Sequence, residues 1–410
     1  MELQFLGGAS AIGSLGLLVR DQGRTLLFDY GMTPSDPPQY PQPAPRDIDV
    51  AFLSHAHLDH SGMTPLLSRL PHARLVGTPV TASVAELLTR DSLKVAKMEG
   101  YLEPYTVDDI RALNARCDVV PLKSTYRRHG LEVELHPAGH IPGATMFLYR
   151  GDKDVLFTGD VSGLPSRLVG PAVPPECDVL VMESTYAGRE HPDRKVTEQN
   201  LRDRIEQVLE DGGRVLIPAF AVGRAQEVVM TLAQSGFDVW LDGMARAVND
   251  IYRAAPESLR DARKFHRAMD AVHVVEHSGE RRHALREAEV IVTTGGMLDG
   301  GPVLFYLAEM YRDSRHAIFL TGYQVEGSNG RQLMDQGTVT IDEVTVRPEC
   351  QVEAFDFSSH AGHSELVALA RASRASQILL MHGDRREELA RSLRDLADVR
   401  LPENGERFAL

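Results

Sequence analysis

Residues 55–60 read His-Ala-His-Leu-Asp-His and directly follow the apolar run Val50–Ser54. This run has the length and composition of a buried β-strand, so the polar side chains behind it would lie in the loop at its carboxyl end. Imidazole and carboxylate groups suit Zn²⁺ and are also accepted by Mn²⁺ or Fe²⁺. The spacing lets the first two histidines face one metal while the aspartate and the last histidine face a second. The candidate ligands are His55, His57, Asp59 and His60.

Three more polar residues follow strand-like runs in the first half of the chain. Asp29 ends Leu-Leu-Phe-Asp, His140 lies in Ala-Gly-His-Ile-Pro-Gly and Asp160 ends Phe-Thr-Gly-Asp. The glycines beside His140 and Asp160 allow the backbone to approach a small site closely. We interpret Asp29 as an acceptor that orients a ligand histidine, the alternative being a simple turn residue before Gly31.

The second half contains a segment with a different pattern. From about residue 195, helix-like and strand-like segments alternate, from a helix over 196–211 and a strand over 214–218 to a strand over 317–321. This alternation predicts βαβ units in a parallel, doubly wound sheet. After about residue 352 the pattern of the first half returns, with a strand expected to end at Ser358. Residues 86–116 show helical spacing.

Composition limits the class of protein. The chain has 410 residues, 43% hydrophobic and 25% charged, which is ordinary for a folded protein of two or three domains. No run approaches the roughly 18 apolar residues of a membrane helix. The start, Met-Glu-Leu-Gln, lacks the basic region of a secretion signal, so we expect a cytoplasmic protein.

Charge and cysteine usage narrow the class further. The net charge of −14 argues against broad electrostatic binding of nucleic acid, which would have to be held locally. Cys117, Cys177 and Cys350 are too few for a disulfide framework and are expected to be small core residues.

The motifs of the first half together resemble the metallo-β-lactamase superfamily. The resemblance implies two divalent metals, Zn²⁺ first and Mn²⁺ as the alternative. It assigns one metal to His55, His57 and His140, the other to Asp59 and His60, and a bridging role to Asp160. The superfamily hydrolyses lactams, thioesters and phosphodiesters, so this resemblance alone leaves the substrate open.

Motifs of the second half resemble the β-CASP branch, nucleases in which an α/β domain is inserted into the metallo-β-lactamase fold. They are Glu-Ser-Thr-Tyr at 183–186, Gly-Arg-Ala-Gln-Glu at 223–227, Gly-Gly-Met-Leu at 295–298, Phe-Asp-Phe-Ser-Ser-His at 355–360 and Met-His-Gly-Asp at 381–384. The implied fold is a four-layer αββα domain with a doubly wound α/β insert. We expect the metallo-β-lactamase domain over residues 1–188 and 353–410, the β-CASP domain over 189–352, and the active site in the cleft between them.

The same resemblance implies roles for later residues. His382 would complete the second metal's ligands, and Glu183 would position His360, which contacts the scissile phosphate or acts as an acid. Catalytic roles are thus expected for Asp59, Glu183, His360 and, through its histidine partner, Asp29. Arg224 follows Gly223 at a strand end and opens a helix, a placement that suits a phosphate contact, with a structural salt bridge as the alternative. Arg331 is a second candidate for such a contact.

The chain departs from the family pattern in two places. Ala187 and Gly188 replace the usual Gly-Asp after Glu-Ser-Thr-Tyr, and Gly295 stands before Gly296-Met-Leu in place of the usual Ser. Both departures concern how the substrate phosphate is held and leave the metal ligands intact.

The expected function is hydrolysis of single-stranded RNA by a hydroxide held between two metals, in RNA processing or decay. RNA is favoured over DNA because family members acting on DNA, such as Artemis, usually carry an apolar residue in place of His382. The chain resembles a minimal bacterial form related to RNase J and to the nuclease subunit of the cleavage and polyadenylation specificity factor. A DNA nuclease and a non-catalytic β-CASP scaffold are the alternatives, a small-molecule hydrolase having no need of the insert. The sequence does not decide between endonuclease and exonuclease action, nor whether the protein forms a homodimer.

Overall fold

A computed structural model describes all 410 residues and divides them into two compact units. The first comprises Met1–Glu190 with Ser359–Leu410, and the second comprises His191–Ser358. None of the helices combines the length and the apolar character that crossing a membrane would need.

The first unit contains two sheets and five helices. Up to residue 190 its elements are β1 (Glu2–Gly7), β2 (Gly16–Asp21), β3 (Arg24–Phe28), β4 (Val50–Phe52), α1 (Leu58–Ser61), β5 (Arg74–Gly77), α2 (Pro79–Glu99), α3 (Val107–Asn114), β6 (Cys117–Val119), β7 (Thr125–Arg128), β8 (Leu131–Pro137), β9 (Thr145–Arg150), β10 (Asp154–Phe157) and β11 (Val179–Glu183).

The second unit follows with α4 (Arg194–Glu210), β12 (Val215–Ala219), α5 (Arg224–Leu232), β13 (Val239–Asp242), α6 (Ala245–Ala254), α7 (Ala262–Asp270), β14 (His273–Val274), α8 (Arg281–Glu287), β15 (Val290–Thr294), α9 (Val303–Met310), β16 (Ala317–Leu320), α10 (Asn329–Gln336), β17 (Val339–Ile341), β18 (Val344–Val346) and β19 (Gln351–Ala354). The first unit then resumes with α11 (His363–Ser373), β20 (Gln377–Met381), α12 (Arg386–Leu393), β21 (Asp398–Arg400) and β22 (Arg407–Ala409).

The first unit is a sandwich of two seven-stranded sheets. One sheet has the order β22-β1-β2-β3-β4-β5-β6 and the other β21-β20-β11-β10-β9-β8-β7. Alternate residues of both sheets, such as Leu17, Phe28, Phe147 and Val181, form one buried core between them. Helix α3 packs on β5 and helix α12 on β20 and β21, so the predicted four-layer αββα arrangement is confirmed.

Parallel pairing brings the site residues to common edges. Strands β3, β4 and β5 run parallel, and their carboxyl ends lead into Asp29 and the His55 loop. In the other sheet β10, β11 and β20 run parallel. Asp160 follows the first, Glu183 ends the second and His382 follows the third. Because parallel strands end at one edge of a sheet, residues far apart in sequence meet there.

The second unit has a six-stranded parallel sheet of order β14-β13-β15-β12-β16-β19. Helices α5, α6 and α7 pack together, as do α8 and α9, and Leu216, Ile291 and Ile318 anchor a separate core. The predicted doubly wound α/β insert is confirmed. The structure adds α6, α7, α10 and the β17–β18 hairpin, which the sequence pattern did not predict.

Two predicted limits, of one strand and of one domain, differ from the structure. The strand expected to end at Ser358 ends at Ala354, because Asp356 turns the chain by accepting the Ser358 N–H. The domain boundary placed between residues 352 and 353 falls inside this strand, whose pairing with β16 keeps it in the second unit. The helical spacing over residues 86–116 corresponds to two helices, the end of α2 and all of α3, because Gly100 ends α2 at a φ of 71°.

Candidate metal centre

Four ligand-type side chains converge on one point, namely His55, His57, His140 and Asp160. The Nδ1 atom of His57 lies 3.1 Å from Nε2 of His55 and 3.2 Å from Nε2 of His140. Asp160 Oδ2 lies 3.4 Å from Nε2 of His55 and 3.7 Å from Nε2 of His140. Tetrahedral Zn²⁺, with bonds of about 2.0–2.1 Å, places its ligand atoms about 3.3 Å apart. The observed spacing therefore fits one metal ion.

A second group shares the other carboxylate oxygen of Asp160. Oδ1 of Asp160 lies 3.4 Å from Nε2 of His60 and 3.8 Å from Nε2 of His382. The Oδ2 atom of Asp59 lies 3.8 Å and 3.4 Å from these two nitrogens. This second set of four atoms has the same spacing as the first, and Asp160 is the one side chain common to both.

Buried atoms without hydrogen-bond partners support a cation at the second group. Oδ1 of Asp160 and Nε2 of both His60 and His382 are buried and lack any such partner. An unpaired buried polar atom costs free energy, and native proteins rarely keep several together. The three atoms lie within 4.8 Å of one another, as the ligands of one ion would. The residues present thus fit a divalent ion better than a closed hydrogen-bond network.

Asp29 fixes the ring of His60. Its Oδ2 accepts a hydrogen bond from Nδ1 of His60 at 2.7 Å, which assigns the proton to that nitrogen and leaves Nε2 as a ligand. The carboxylate also accepts bonds from the backbone N–H and the hydroxyl of Ser54, both at 2.7 Å. Asp29 adopts a left-handed φ of 56°, a conformation that costs free energy in a non-glycine residue. The structure therefore brings Asp29 to the position that the sequence interpretation gave it.

A backbone carbonyl orients His140 in the same way. Nδ1 of His140 donates to the carbonyl oxygen of Ser359 at 2.9 Å, so Nε2 faces His57 and Asp160. The sequence could not reveal this partner, because a carbonyl is present at every residue. Ser54 was also missed, although its place directly before the histidine motif was a usable signal.

Burial favours neutral imidazole at the first group. It lowers the pKa of His55 well below its ordinary value, and the nearby His60 lowers it further. Burial, together with His360, has the same effect on the pKa of His140. Neutral imidazole is the form that binds metals. The first group is therefore ready to bind a metal without losing protons.

In the second group, neighbouring charges favour the ionised forms of His60 and Asp160. Burial opposes protonation of His60, but the carboxylates of Asp160 and Asp59 raise its pKa well above its ordinary value. Burial likewise opposes ionisation of Asp160, yet the nearby charges of His60 and His360 hold its pKa well below the usual range. A bound cation would replace these protons as the partner of the carboxylates.

Glu183 and His360 form a pair beside the first group. Nδ1 of His360 lies 3.0 Å and 3.1 Å from the two carboxylate oxygens of Glu183, and 3.9 Å from Oδ2 of Asp160. Glu183 is fully buried and also accepts the Val161 N–H at 2.7 Å. Burial opposes the charged form of His360, but Glu183 and Asp160 raise its pKa to about 9. This pair favours the positively charged form of His360 at neutral pH beside Asp160.

Comparison with protein families agrees with this geometry. The metallo-beta-lactamase superfamily matches residues 13–219, the Beta-Casp domain matches 225–333, and the Zn-dependent metallo-hydrolase RNA specificity domain matches 345–402. The chain belongs to the β-CASP branch of the metallo-β-lactamase superfamily.

Curated β-CASP relatives match along nearly the whole chain. "Probable RNase MJ4" of Methanocaldococcus jannaschii is 34% identical over 100% of both proteins. "RNase aCSPSF2" of Saccharolobus solfataricus is 34% identical over all of this chain and 85% of that protein. "Transcription termination factor FttA" of M. jannaschii is 32% identical over 94% of this chain and 67% of that protein. All three are archaeal, and the bacterial form stays a prediction.

A solved structure is similar to this chain in fold. A protein of unknown function from Enterococcus faecalis V583 superposes with a TM-score of 0.65 at 16% identity, over 100% of this chain and 99% of that one. At this identity the likeness concerns the fold alone.

The two arginines predicted to bind phosphate lie in the β-CASP unit. Arg224 begins helix α5 after Gly223 and is only 8% exposed. Burial would raise the pKa of Asp356, but a hydrogen bond from His191 and the nearby charge of Arg224 lower it. Arg331 is exposed and pairs with Asp335 one turn along helix α10 at 2.6 Å. The phosphate role of both residues stays a prediction.

The departures from the family pattern have local explanations. Gly188 adopts a φ of 73°, and a Cβ there would lie 1.8 Å from a carboxylate oxygen of Glu388. The Glu388 carboxylate thus lies where the side chain of the usual Asp would begin. Gly295 has a φ of 110°, which disfavours the Ser of other members. Tyr186, which the sequence reasoning left out, places its ring 5.9 Å from that of His360.

Proposed function

We propose that this chain is a metal-dependent ribonuclease that hydrolyses phosphodiester bonds of single-stranded RNA. The observation that carries the proposal is a single carboxylate, Asp160, shared by two sets of ligand atoms next to the Glu183–His360 pair. The RNA specificity domain and the relatives named as RNases support RNA as the substrate.

The proposed ligands are His55, His57 and His140 for one ion, Asp59, His60 and His382 for the other, and Asp160 for both. The family description favours Zn²⁺, and Mn²⁺ is the alternative that the donor set allows. Two such ions supply Lewis acidity: they acidify water and offset the charge that develops on the phosphate.

The remaining groups orient the substrate and move protons. Hydrolysis forms a new P–O bond from water and breaks the bond to the 3′ oxygen, which must take up a proton. His360, held positive by the buried carboxylate of Glu183, is the proposed donor of that proton or the partner of a phosphate oxygen. Asp29 acts through His60, because it touches the ring and not the reacting atoms. The product would carry a 5′ phosphate.

RNA is preferred over DNA for a reason that rests on His382. This residue follows β20 with a left-handed φ of 53°, and its Nε2 lies 3.4 Å from Oδ2 of Asp59. The family members that act on DNA usually have an apolar residue in its place, as described above. We therefore do not propose a DNA nuclease, and the experiment below includes a matched DNA to test for that activity.

The test is cleavage of RNA labelled at the 5′ or the 3′ end, with a matched DNA, by metal-stripped protein to which Zn²⁺ or Mn²⁺ is added back. We expect RNA cleavage that requires added metal and is lost in His360→Ala. The control His136→Ala alters a half-buried histidine that pairs with Glu134 on β8, away from the clustered residues, and should cleave normally. Preferential cleavage of DNA, or no metal dependence, would overturn the proposal. The two labels separate endonuclease from exonuclease action.

A further inference from the structure

Ser54 lies directly before the histidine motif and places its hydroxyl between a carboxylate and a histidine ring. It is 1% exposed. Its backbone N–H donates to Oδ1 of Asp29 at 2.7 Å, and its carbonyl accepts the Thr145 N–H at 2.9 Å. Its hydroxyl oxygen lies 2.7 Å from Oδ2 of Asp29 and 3.2 Å from Nδ1 of His55. The backbone is thus held on both sides, and the hydroxyl connects two functional groups.

The hydroxyl of Ser54 serves both neighbours at once. A carboxylate accepts hydrogen bonds, so the Ser54 O–H donates to Asp29. The lone pairs of the same oxygen remain available to an N–H at Nδ1 of His55. A hydrogen-bond chain therefore runs from the His55 ring through Ser54 to Asp29.

The other nitrogen of the His55 ring has a competing partner for the proton. Nε2 of His55 lies 3.1 Å from Nδ1 of His57, which in turn lies 3.2 Å from Nε2 of His140. A proton on Nε2 of His55 would join the first two rings by a hydrogen bond. Because a neutral imidazole carries its proton on one nitrogen only, the lone pair of Nε2 would then be lost to a metal. The tautomer of His55 therefore decides whether the first group is open to a cation.

An acceptor at Nδ1 orients the other rings of the site in the same way. The Ser359 carbonyl accepts from His140, and Asp29 accepts from His60. For the first histidine of the motif, the acceptor at Nδ1 is the Ser54 hydroxyl. This hydroxyl donates in turn to a carboxylate, and successive hydrogen bonds polarise one another, so its oxygen becomes a better acceptor.

We propose that Ser54 is a positioning residue that holds the proton of His55 on Nδ1 and thereby keeps Nε2 free for a metal. The one carboxylate of Asp29 then orients a ring in each ligand group, His60 directly and His55 through the Ser54 hydroxyl. Where it concerns the metal, the inference rests on the proposed function. The state of the His55 ring is measurable without any metal.

Ser54→Ala removes the hydroxyl and leaves the fold in place. Asp29 keeps the backbone N–H of residue 54 and the His60 ring as donors, so its buried carboxylate is not left without a partner. Ser373→Ala is the matched control, because the Ser373 hydroxyl is also buried but donates to the Ala370 carbonyl at 2.7 Å in helix α11. Ser54→Thr keeps the hydroxyl and adds one methyl group.

The first measurement is ¹⁵N NMR of the imidazole rings in metal-stripped protein at mildly alkaline pH. Signals that disappear in His55→Ala assign the His55 ring, and the nitrogen shifts show which atom carries the proton. We expect the proton on Nδ1 in the wild type, in Ser373→Ala and in Ser54→Thr. In Ser54→Ala we expect it on Nε2.

The second measurement is titration with zinc against a competing chelator. Loss of a group that orients a ligand histidine typically costs about 10–100-fold in metal affinity, so Ser54→Ala should bind one of two zinc ions at least about tenfold more weakly. The other ion should bind as in the wild type, because Asp29 still holds His60. Neither ion should be affected in Ser373→Ala.

Three outcomes would overturn the proposal. The first is the same His55 tautomer in Ser54→Ala and the wild type, and the second is equal zinc affinity in Ser54→Ala and Ser373→Ala. The third is a Ser54→Thr variant that behaves as Ser54→Ala. Packing against Gly159, where a Cβ would lie 2.6 Å from the hydroxyl, would then matter and not the hydrogen bond. A wild type that binds no zinc would overturn the proposed function instead, and the NMR result would still decide on Ser54.

Discussion

Asp160 differs from every other residue of the site because each of its oxygens faces a different set of imidazoles. A carboxylate in this position offsets positive charge on two neighbouring ions at once. Its own backbone is fixed, because Gly159 before it takes a φ of 54° with no room for a Cβ beside Ser54. On the proposed function, this residue would determine whether two cations can lie close together.

We predict that Asp160→Asn lowers both metal content and turnover. Asparagine keeps the shape but has one neutral oxygen, so two ions would repel each other more strongly. Elemental analysis should give clearly fewer than two metals per chain, and RNA cleavage should fall by at least about a hundredfold, as is typical when a major electrostatic group is lost. Asp152→Asn, an exposed carboxylate bonded to Gln22, is the control. Full metal content in an inactive Asp160→Asn would give this residue another role.

Glu183→Gln should separate proton transfer from metal binding. The amide oxygen of glutamine can still accept the Val161 N–H, so the fold is kept, but the charge that holds His360 positive is removed. We expect the metal content to stay at the wild-type level while kcat falls about 10²–10⁴-fold, the usual range for general acid–base catalysis. A variant that loses metal to the same extent as activity would show that Glu183 is itself a ligand.

At the scale of elements, two sets of parallel strands, β3–β4–β5 and β10–β11–β20, explain why residues remote in sequence form one site. The Ser184 hydroxyl donates to the Met381 carbonyl, and the Thr185 hydroxyl donates to the His382 carbonyl at 3.1 Å. These bonds join the ends of β11 and β20. A Cβ on Gly383 would lie 2.3 Å from the Ser184 carbonyl oxygen, so the two strand ends touch through a glycine.

His382→Ala should weaken one metal site selectively. The first group keeps all three of its histidines and Asp160, whereas the second loses one of its two imidazoles. We predict that this variant folds, retains about one tightly bound metal, loses most cleavage at limiting metal and partly recovers at high Mn²⁺. Metal titration with elemental analysis checks this. Two normal sites, or unaffected cleavage at limiting metal, would remove His382 from the centre and with it the argument for RNA.

The sequence was most informative where a strand and the polar residue at its end lie in one short segment of the chain. The run before His55 and the alternation of the insert could be read directly, because period and residue type determine them. Other elements were misread: β19 ends at Ala354 and not at Ser358, and helix α6 was missed although it buries Ala245, Val248 and Tyr252 at helical spacing. Within the site, the residues that cluster in the structure were named from their motifs, and Ser54 could have been named from its place before the histidine motif. The Ser359 carbonyl follows only from the fold.

At the scale of the whole molecule, the division into two units means that only one unit carries the proposed metal ligands. The effect of metal on stability should therefore differ between the two units. Every proposed ligand lies in the first unit, and the second is one continuous stretch, His191–Ser358, with its own parallel sheet and core. A ligand that binds only the folded state stabilises the unit that holds it. Metal should therefore stabilise the first unit directly and act on the second only through the first.

Removal of metal tests this separation. We predict that a chelator lowers the melting temperature of the full chain. The isolated segment 191–358 should fold, as judged by circular dichroism, and melt at the same temperature with or without the chelator. Asp160→Asn in the full chain should reduce the chelator's effect, since less metal is there to remove. An equal shift for the isolated segment would place a metal site in the second unit. If chelation does not change the melting temperature of the full chain, the clustered histidines and carboxylates of the first unit are stable without a cation. That result would contradict the inference drawn from the unpaired buried atoms of Asp160, His60 and His382.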